Sequence, residues 1–162
     1  MTSEIQVTND LKEQEKVRIF EVKSHQKFLQ QKAAYSLPVD PRVKKAKPFR
    51  GFNVFYVDGN LIRQQIDIDF VMGGNGYRYL YCPLDEIWID SVFKKEADYI
   101  MLHEYVELNH MKNGMNYPEA HDLASIQETM LRRGGSTILD AVPQPLRSPG
   151  KLFAPASVSL GE

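Results

Sequence analysis

Three of the four histidines of this chain lie close together in the sequence. His103, His110 and His121 fall within 19 residues, whereas His25 stands far away in a charged segment. Glu107 follows His103 by four residues, the spacing of one helical turn. Neutral imidazole and carboxylate are the ligands that zinc commonly takes in proteins. The cluster therefore predicts a metal site.

A helix is predicted over residues 94–112, ending at an Asn-Gly pair. On this helix His103, Glu107 and His110 project within roughly 60° of one another, so they form a stripe. We expect His103 and Glu107 to bind the metal. We expect His110 to be a surface residue beside the site, with a role as an outer-shell or alternative ligand left open. Glu104 lies about 100° around the helix from His103, toward its apolar side.

A second helix is predicted over residues 116–134, because an N-capping Asn116 is followed by Pro and Glu in its first turn and a Gly-Gly pair ends it. The short connection makes the two helices a tight hairpin. His121 is then the expected third ligand, and a set of two His and one Glu leaves a position open for a reactive water on Zn²⁺. Glu128 is either a second-shell partner of a histidine or a further ligand that would favour Mn²⁺ or Fe²⁺. Tyr117 is a candidate for stabilising an oxyanion.

The string from His103 to Glu107, His-Glu-Tyr-Val-Glu, resembles the His-Glu-x-x-His signature of the zincin metallopeptidases. In that family both histidines bind zinc and the glutamate handles the proton of the metal-activated water. The resemblance implies that Glu104 is the catalytic residue. It departs from the signature at Glu107, which stands where the second histidine belongs. With His121 as third ligand, the chain still supplies the two His and one Glu of the gluzincin type.

The resemblance extends over about residues 52–133, which look like a minimal gluzincin core: a small sheet, an active-site helix and a second helix with the third ligand. The segment is also similar to small uncharacterised bacterial and phage-type proteins of zincin appearance. The implied function is zinc-dependent hydrolysis of a peptide bond in a peptide or protein substrate. The alternatives are a non-catalytic protein-interaction module that retains the metal shell and a redox or oxygenase-type iron site.

The elements around the site predict an α+β fold. Residues 1–50 are expected to hold an N-terminal helix, over 11–35, and a basic, proline-broken linker whose basic residues are read as solvated rather than as a nucleic-acid contact. Residues 51–134 form the core, and the Pro-, Ser- and Gly-rich segment 135–162 is expected to be an irregular tail.

Within the core, a meander of about four antiparallel strands is predicted before the helical hairpin. Phe52–Val57 and the alternating segment Ile62–Val71 are expected as strands separated by an Asp-Gly-Asn turn. The glycine-rich segment 73–76 is read as a hairpin turn rather than a phosphate loop, because the next segment, 77–81, is strand-like and not helical. Glu86–Asp90 is expected to be an edge strand that binds substrate by strand addition.

The composition of the chain argues against several classes of partner and location. A formal charge of −1 gives no overall basic field for nucleic acid or an anionic membrane. No cationic and apolar leader, and no apolar stretch of bilayer length, is visible, so a cytoplasmic protein without membrane contact is expected. The one cysteine, Cys82, is expected to be a buried thiol rather than a nucleophile.

Overall fold

The computed structural model describes residues 2–134. The predicted tail, 135–162, lies outside the described residues. The chain folds into a mixed α+β structure, with four α-helices and a four-stranded sheet in the described part. In chain order the elements are α1 (Thr2–Ala34), β1 (Arg42–Lys45), β2 (Asn53–Val57), α2 (Gly59–Gln65), β3 (Gly73–Asn75), β4 (Glu86–Asp90), α3 (Ala97–Lys112) and α4 (Tyr117–Gly134).

The sheet is mixed, and the prediction of an antiparallel meander is wrong. Its strand order is β1-β2-β4-β3. β1 pairs antiparallel with β2, β2 pairs parallel with β4, and β3 pairs antiparallel with β4. The parallel pair requires a crossover, which the chain makes through α2 and the loops before and after β3. Part of the predicted basic linker is therefore the edge strand β1.

Strand β4 lies in the centre of the sheet, so the prediction of an edge strand open to substrate is also wrong. All five residues of Glu86–Asp90 are buried. Its two carboxylates are paired across the fold: Arg42 donates to Glu86 with both contacts at 3.0 Å, and Arg63 lies 3.1 Å from Asp90. Each buried carboxylate thus has an arginine partner, which allows a strand with acidic ends to lie in the centre of the sheet.

The segment Ile62–Val71, predicted as a strand, begins instead inside helix α2. Asp58 caps this helix, because its side chain accepts a hydrogen bond from the backbone N–H of Leu61 at 2.9 Å. The alternation of exposure that a strand requires is absent, since Ile68 is 80% exposed while Ile62 and Phe70 are buried. The Asp-Gly-Asn sequence is thus a helix start, and the predicted glycine-rich turn contributes strand β3.

The helical hairpin agrees with the prediction. A short 3₁₀ segment, Ser91–Glu96, leads into α3, which packs on β3, β4 and α4. Gly114 takes a positive φ of 96° after the end of α3, a conformation that favours glycine. Asn116 then caps α4 by accepting from the backbone N–H of Glu119 at 3.0 Å. The core between sheet and hairpin contains mainly Val54, Ile87, Ile89, Leu102, Val106, Leu108 and Ala124.

Helix α1 is fixed to the core near its C-terminal end. The ammonium of Lys32 donates to the backbone carbonyls of Tyr79, at 2.7 Å, Leu80, at 3.2 Å, and Cys82. It thereby closes the loop between β3 and β4. Within residues 2–134 no helix combines the length and apolarity that crossing a membrane demands.

Candidate metal centre

The hairpin brings three predicted ligands together at one point. His103 and Glu107 stand one turn apart on α3, and His121 faces them from the first half of α4. His121 Nδ1 lies 3.0 Å from Glu107 Oε2 and 3.1 Å from His103 Nε2, and His103 Nε2 lies 3.3 Å from Glu107 Oε2. Three donor atoms of metal-ligating type therefore form a nearly equilateral triangle.

The size of this triangle fits a tetrahedral metal ion. Ligands at the usual zinc distances of about 2.0–2.1 Å stand about 3.3 Å apart at the corners of a tetrahedron. The three observed separations, 3.0 to 3.3 Å, match that edge closely. The donor set of two imidazoles and one carboxylate is also the type that catalytic zinc takes, with one corner left for water or substrate. The residues thus fit a divalent metal by chemistry and by spacing.

Glu128 on α4 contacts the opposite edge of the His103 ring. Its Oε2 accepts from His103 Nδ1 at 2.9 Å, which leaves Nε2 directed to the triangle. Glu128 is a partner of the ring in this arrangement, and it is not one of the three clustered donors. A carboxylate on the far nitrogen fixes the tautomer and the ring orientation of a metal-binding histidine.

Carboxylates dominate the electrostatics of the metal-free centre. Burial lowers the pKa of His103, but the hydrogen bond with Glu107 and the charges of Glu104, Glu107 and Glu128 outweigh it and raise that pKa to about 9. For Glu107, burial is likewise outweighed, and the hydrogen bonds from His103 and His121 lower its pKa. In the absence of metal a proton on His103 therefore supplies the positive charge that the carboxylates require.

Glu104 lies beside the triangle and is buried, with 8% of its surface exposed. Burial and the neighbouring Glu107 raise the pKa of Glu104 to about 8. The amide of Asn75, fully buried on β3, joins the two carboxylates: its Nδ2 donates to Glu104 Oε2 at 2.8 Å and to Glu107 Oε1 at 3.1 Å. The pKa of Glu104 in the metal-free centre is therefore close enough to neutrality that both of its protonation states are accessible, as a proton-transfer group requires.

The centre opens into a cavity of about 290 Å³. Gly73 in its wall allows sheet and helix to come close, since a Cβ there would lie 2.5 Å from Ile100 Cγ2 and 3.1 Å from Glu104 Oε1. The cavity is lined by Asp69, Val71, Met72, Gly73, Arg78, Tyr79, Ile100, His103, Glu104, Glu107, Tyr117, His121 and Glu128. The predicted proton-transfer residue and the three predicted ligands therefore face the same space.

Tyr117, predicted as an oxyanion stabiliser, also lines this cavity. Its ring centroid lies 5.4 Å from that of His121. The guanidinium of Arg78 also lies over the Tyr117 ring, 3.9 Å from its centroid. The tyrosine is therefore fixed beside the centre by its contacts with His121 and Arg78.

The predictions about residues near the site have different outcomes. His110 is not a surface residue: it is 8% exposed, burial lowers its pKa, and it does not belong to the three clustered donors. Cys82 is a fully buried thiol, as predicted, and burial raises its pKa. Asp67 and Asp69 belong to the segment predicted as a strand, but they lie outside the strands of the described residues, and Asp67 accepts a hydrogen bond from Tyr81 at 3.0 Å.

Comparisons with protein-family models, curated proteins and solved structures found no match.

Sequence reasoning missed three residues of the site: Gly73, Asn75 and Arg78. All three fall in or next to the glycine-rich segment that was interpreted only as a turn. A usable signal was present, because a glycine pair before a small polar residue is typical of a backbone that passes close to another element. The amide partner of the two glutamates could not be named, since β3 and α3 are separated by more than 20 residues.

Proposed function

We propose that this chain is a metal-dependent hydrolase of the zincin type that cleaves peptide bonds. One observation carries the proposal: three donor atoms at tetrahedral spacing share a cavity with a buried carboxylate whose pKa is near neutrality. His103, Glu107 and His121 are the residues that would hold the ion. Two imidazoles and one carboxylate suit four-coordinate Zn²⁺. The same donor set holds Fe²⁺ when more positions stay open, and sets richer in oxygen suit Mn²⁺.

A bound zinc ion would supply a Lewis acid that lowers the pKa of water and polarises a carbonyl. The protein supplies the proton chemistry. Glu104 accepts a proton from the attacking water and returns it to the departing amine. A zinc ion held beside it would favour the ionised carboxylate that the first transfer needs. Asn75 fixes the Glu104 carboxylate by its hydrogen bond at 2.8 Å. Tyr117 lies where a hydroxyl donor could stabilise negative charge on the carbonyl oxygen.

Metal content tests the ligand assignment. Metal is removed from the purified protein with a chelator, and the protein is reloaded with Zn²⁺ and desalted. Its zinc content is then measured by elemental mass spectrometry. We expect stoichiometric zinc in the wild type and a large loss in His103→Ala and His121→Ala. His25→Ala is the matched control, because it removes a histidine from α1, away from the three donors. Full zinc content in both cluster variants would refute the centre.

Catalysis is tested separately with Glu104→Gln. This variant keeps the size of the side chain and retains the three ligands, so we expect normal zinc content and loss of peptide hydrolysis. Hydrolysis at the wild-type rate in Glu104→Gln would contradict the assigned role. Zinc binding without hydrolysis of a peptide library by the wild type would instead favour a non-catalytic module that keeps the metal shell.

A further inference from the structure

Arg78 is the one Lys or Arg among the described residues that line the cavity of the metal centre. The remaining charged lining consists of Asp69, Glu104, Glu107 and Glu128, together with the two histidines. An anionic group brought into this cavity would be repelled by those carboxylates. The two histidines are already paired with Glu107 and Glu128, so the unpaired positive charge that the anion would meet among the described lining residues is that of Arg78.

The guanidinium of Arg78 is held in place by aromatic rings, and its N–H groups have no partner among residues 2–134. It lies 3.9 Å from the ring centroid of Tyr117 and 5.4 Å from that of Tyr79. Within the described part of the chain it makes neither a hydrogen bond nor an ion pair, unlike Arg42, Arg63 and Arg132. A guanidinium stacked on aromatic rings with its donors free is the arrangement in which arginine recognises a planar anion with two N–H···O bonds.

The backbone at Arg78 is tied to the same residue that orients the proton-transfer group. The N–H of Arg78 donates to Asn75 Oδ1 at 3.1 Å, while Nδ2 of the same amide donates to Glu104 and Glu107. One buried side chain therefore fixes the position of Arg78 relative to the two glutamates. Such placement is expected of a group that aligns substrate with the reacting atoms.

A second, larger cavity of about 680 Å³ begins where the first one ends. Arg78 and Tyr117 line both cavities. Beyond them the second cavity lies between α1 and the turn of the helical hairpin, and its apolar lining includes Phe20, Phe28 and Met115. A molecule anchored at Arg78 would thus have an apolar groove directly beside it.

We propose that Arg78 binds a substrate carboxylate, that of a peptide C-terminus, whose apolar terminal side chain enters this groove. The proposal rests on the proposed function for the reaction, but the binding event itself is a property of Arg78 and the groove. It makes Arg78 the residue that determines specificity, and it predicts cleavage close to the C-terminal end of a peptide. The small volume of the inner cavity agrees with a chain end rather than a long internal segment.

The test measures binding by NMR titration of metal-free protein with N-acetyl-phenylalanine and N-acetyl-phenylalanine amide, because the open position of a bound zinc ion would itself attract a carboxylate. For wild type we expect the carboxylate to bind about 10-fold or more tightly than the amide, the typical effect of a hydrogen-bonded charge. Arg78→Gln should bring the two within about 2-fold. Arg50→Gln is the matched control, because Arg50 also lies over aromatic rings but does not line either cavity.

A second pair of probes, N-acetyl-aspartate α-amide and N-acetyl-asparagine α-amide, distinguishes a side-chain carboxylate from a C-terminal one. Preference for the first acid, lost in Arg78→Gln, supports the proposal. Any of three results would overturn it: tighter binding of the acid only in the aspartate pair, equal binding of acid and amide in both pairs, or tighter binding of the acid that persists in Arg78→Gln. Failure of the metal centre gives a different result: the protein would not retain zinc, while the measurements on metal-free protein would still report on Arg78.

Discussion

The side chain of Asn75 connects more parts of the candidate site than any other neutral group described above, so its removal tests the architecture most directly. Its Nδ2 donates to Glu104 and Glu107, and its Oδ1 accepts the backbone N–H groups of Tyr77, at 3.0 Å, and Arg78, at 3.1 Å. The residue is fully buried. Asn75→Ala therefore deletes four hydrogen bonds and leaves a cavity between sheet and helix.

The expected cost follows from the charge of each partner. Glu107 has a lowered pKa and is ionised at neutral pH, so the hydrogen bond to it contributes about 1.5–3 kcal/mol. With a pKa of about 8, Glu104 is mostly neutral at pH 7, and its hydrogen bond contributes about 0.5–1.5 kcal/mol. The two turn N–H groups belong to partly exposed residues, and water replaces much of what they lose. We expect Asn75→Ala to lower the free energy of unfolding by about 3 kcal/mol.

Urea denaturation of the metal-free protein at pH 7, followed by circular dichroism, measures this change. A loss of 3 kcal/mol corresponds to a fall of about 10 °C in the melting temperature of a chain of this size. Asn60→Ala is the control, because Asn60 is exposed, and its change should stay within about 0.5 kcal/mol. If Asn75→Ala cost less than about 1 kcal/mol, the idea that this amide joins strand, helix and loop would be wrong.

Three further outcomes follow from the same geometry. Gly73→Ala should lower the free energy of unfolding by about 1–3 kcal/mol, since its Cβ would meet Ile100 at 2.5 Å; an unchanged thermal midpoint would contradict the close packing. Glu128→Gln should weaken zinc binding about 10- to 100-fold by calorimetry, because His103 loses its orienting carboxylate, whereas equal affinity would refute that role. Zinc affinity should rise with pH up to about 9, because the ion must displace the proton of His103, and pH-independent affinity between 6 and 8 would exclude this competition.

The helical hairpin and the approach of its three clustered donors were predictable because their signals are local. His103 and Glu107 are one turn apart on one helix, and Asn116 caps the next, so the helical period alone brings His121 to face them. The burial of Glu104 was visible in the same period, from its place beside the apolar arc.

The sheet was less predictable because long-range contacts decide it. Glu86 and Asp90 read as the polar ends of an exposed strand, and only their pairing with Arg42 and Arg63 makes a central position possible. These arginines are remote in sequence, so no local pattern shows the pairing. The alternation over Ile62–Val71 was outweighed by the capping of α2 and by the burial of Ile62.

The hydrogen-bonded amide of Asn75 also sets the chemical lifetime of the site. Asn75 precedes Gly76, and an Asn-Gly pair deamidates readily in a flexible chain because the glycine nitrogen can attack the side-chain amide. Glycine is required there, since a Cβ at Gly76 would lie 2.2 Å from the carbonyl oxygen of Pro83. While the protein stays folded, the buried and fully bonded amide cannot rotate into the reactive geometry. Each heat-induced unfolding exposes the amide to this reaction. Deamidation of Asn75 would place a third carboxylate between Glu104 and Glu107. We therefore expect peptide mapping after heating to find deamidated Asn75 in protein that has irreversibly lost its native structure.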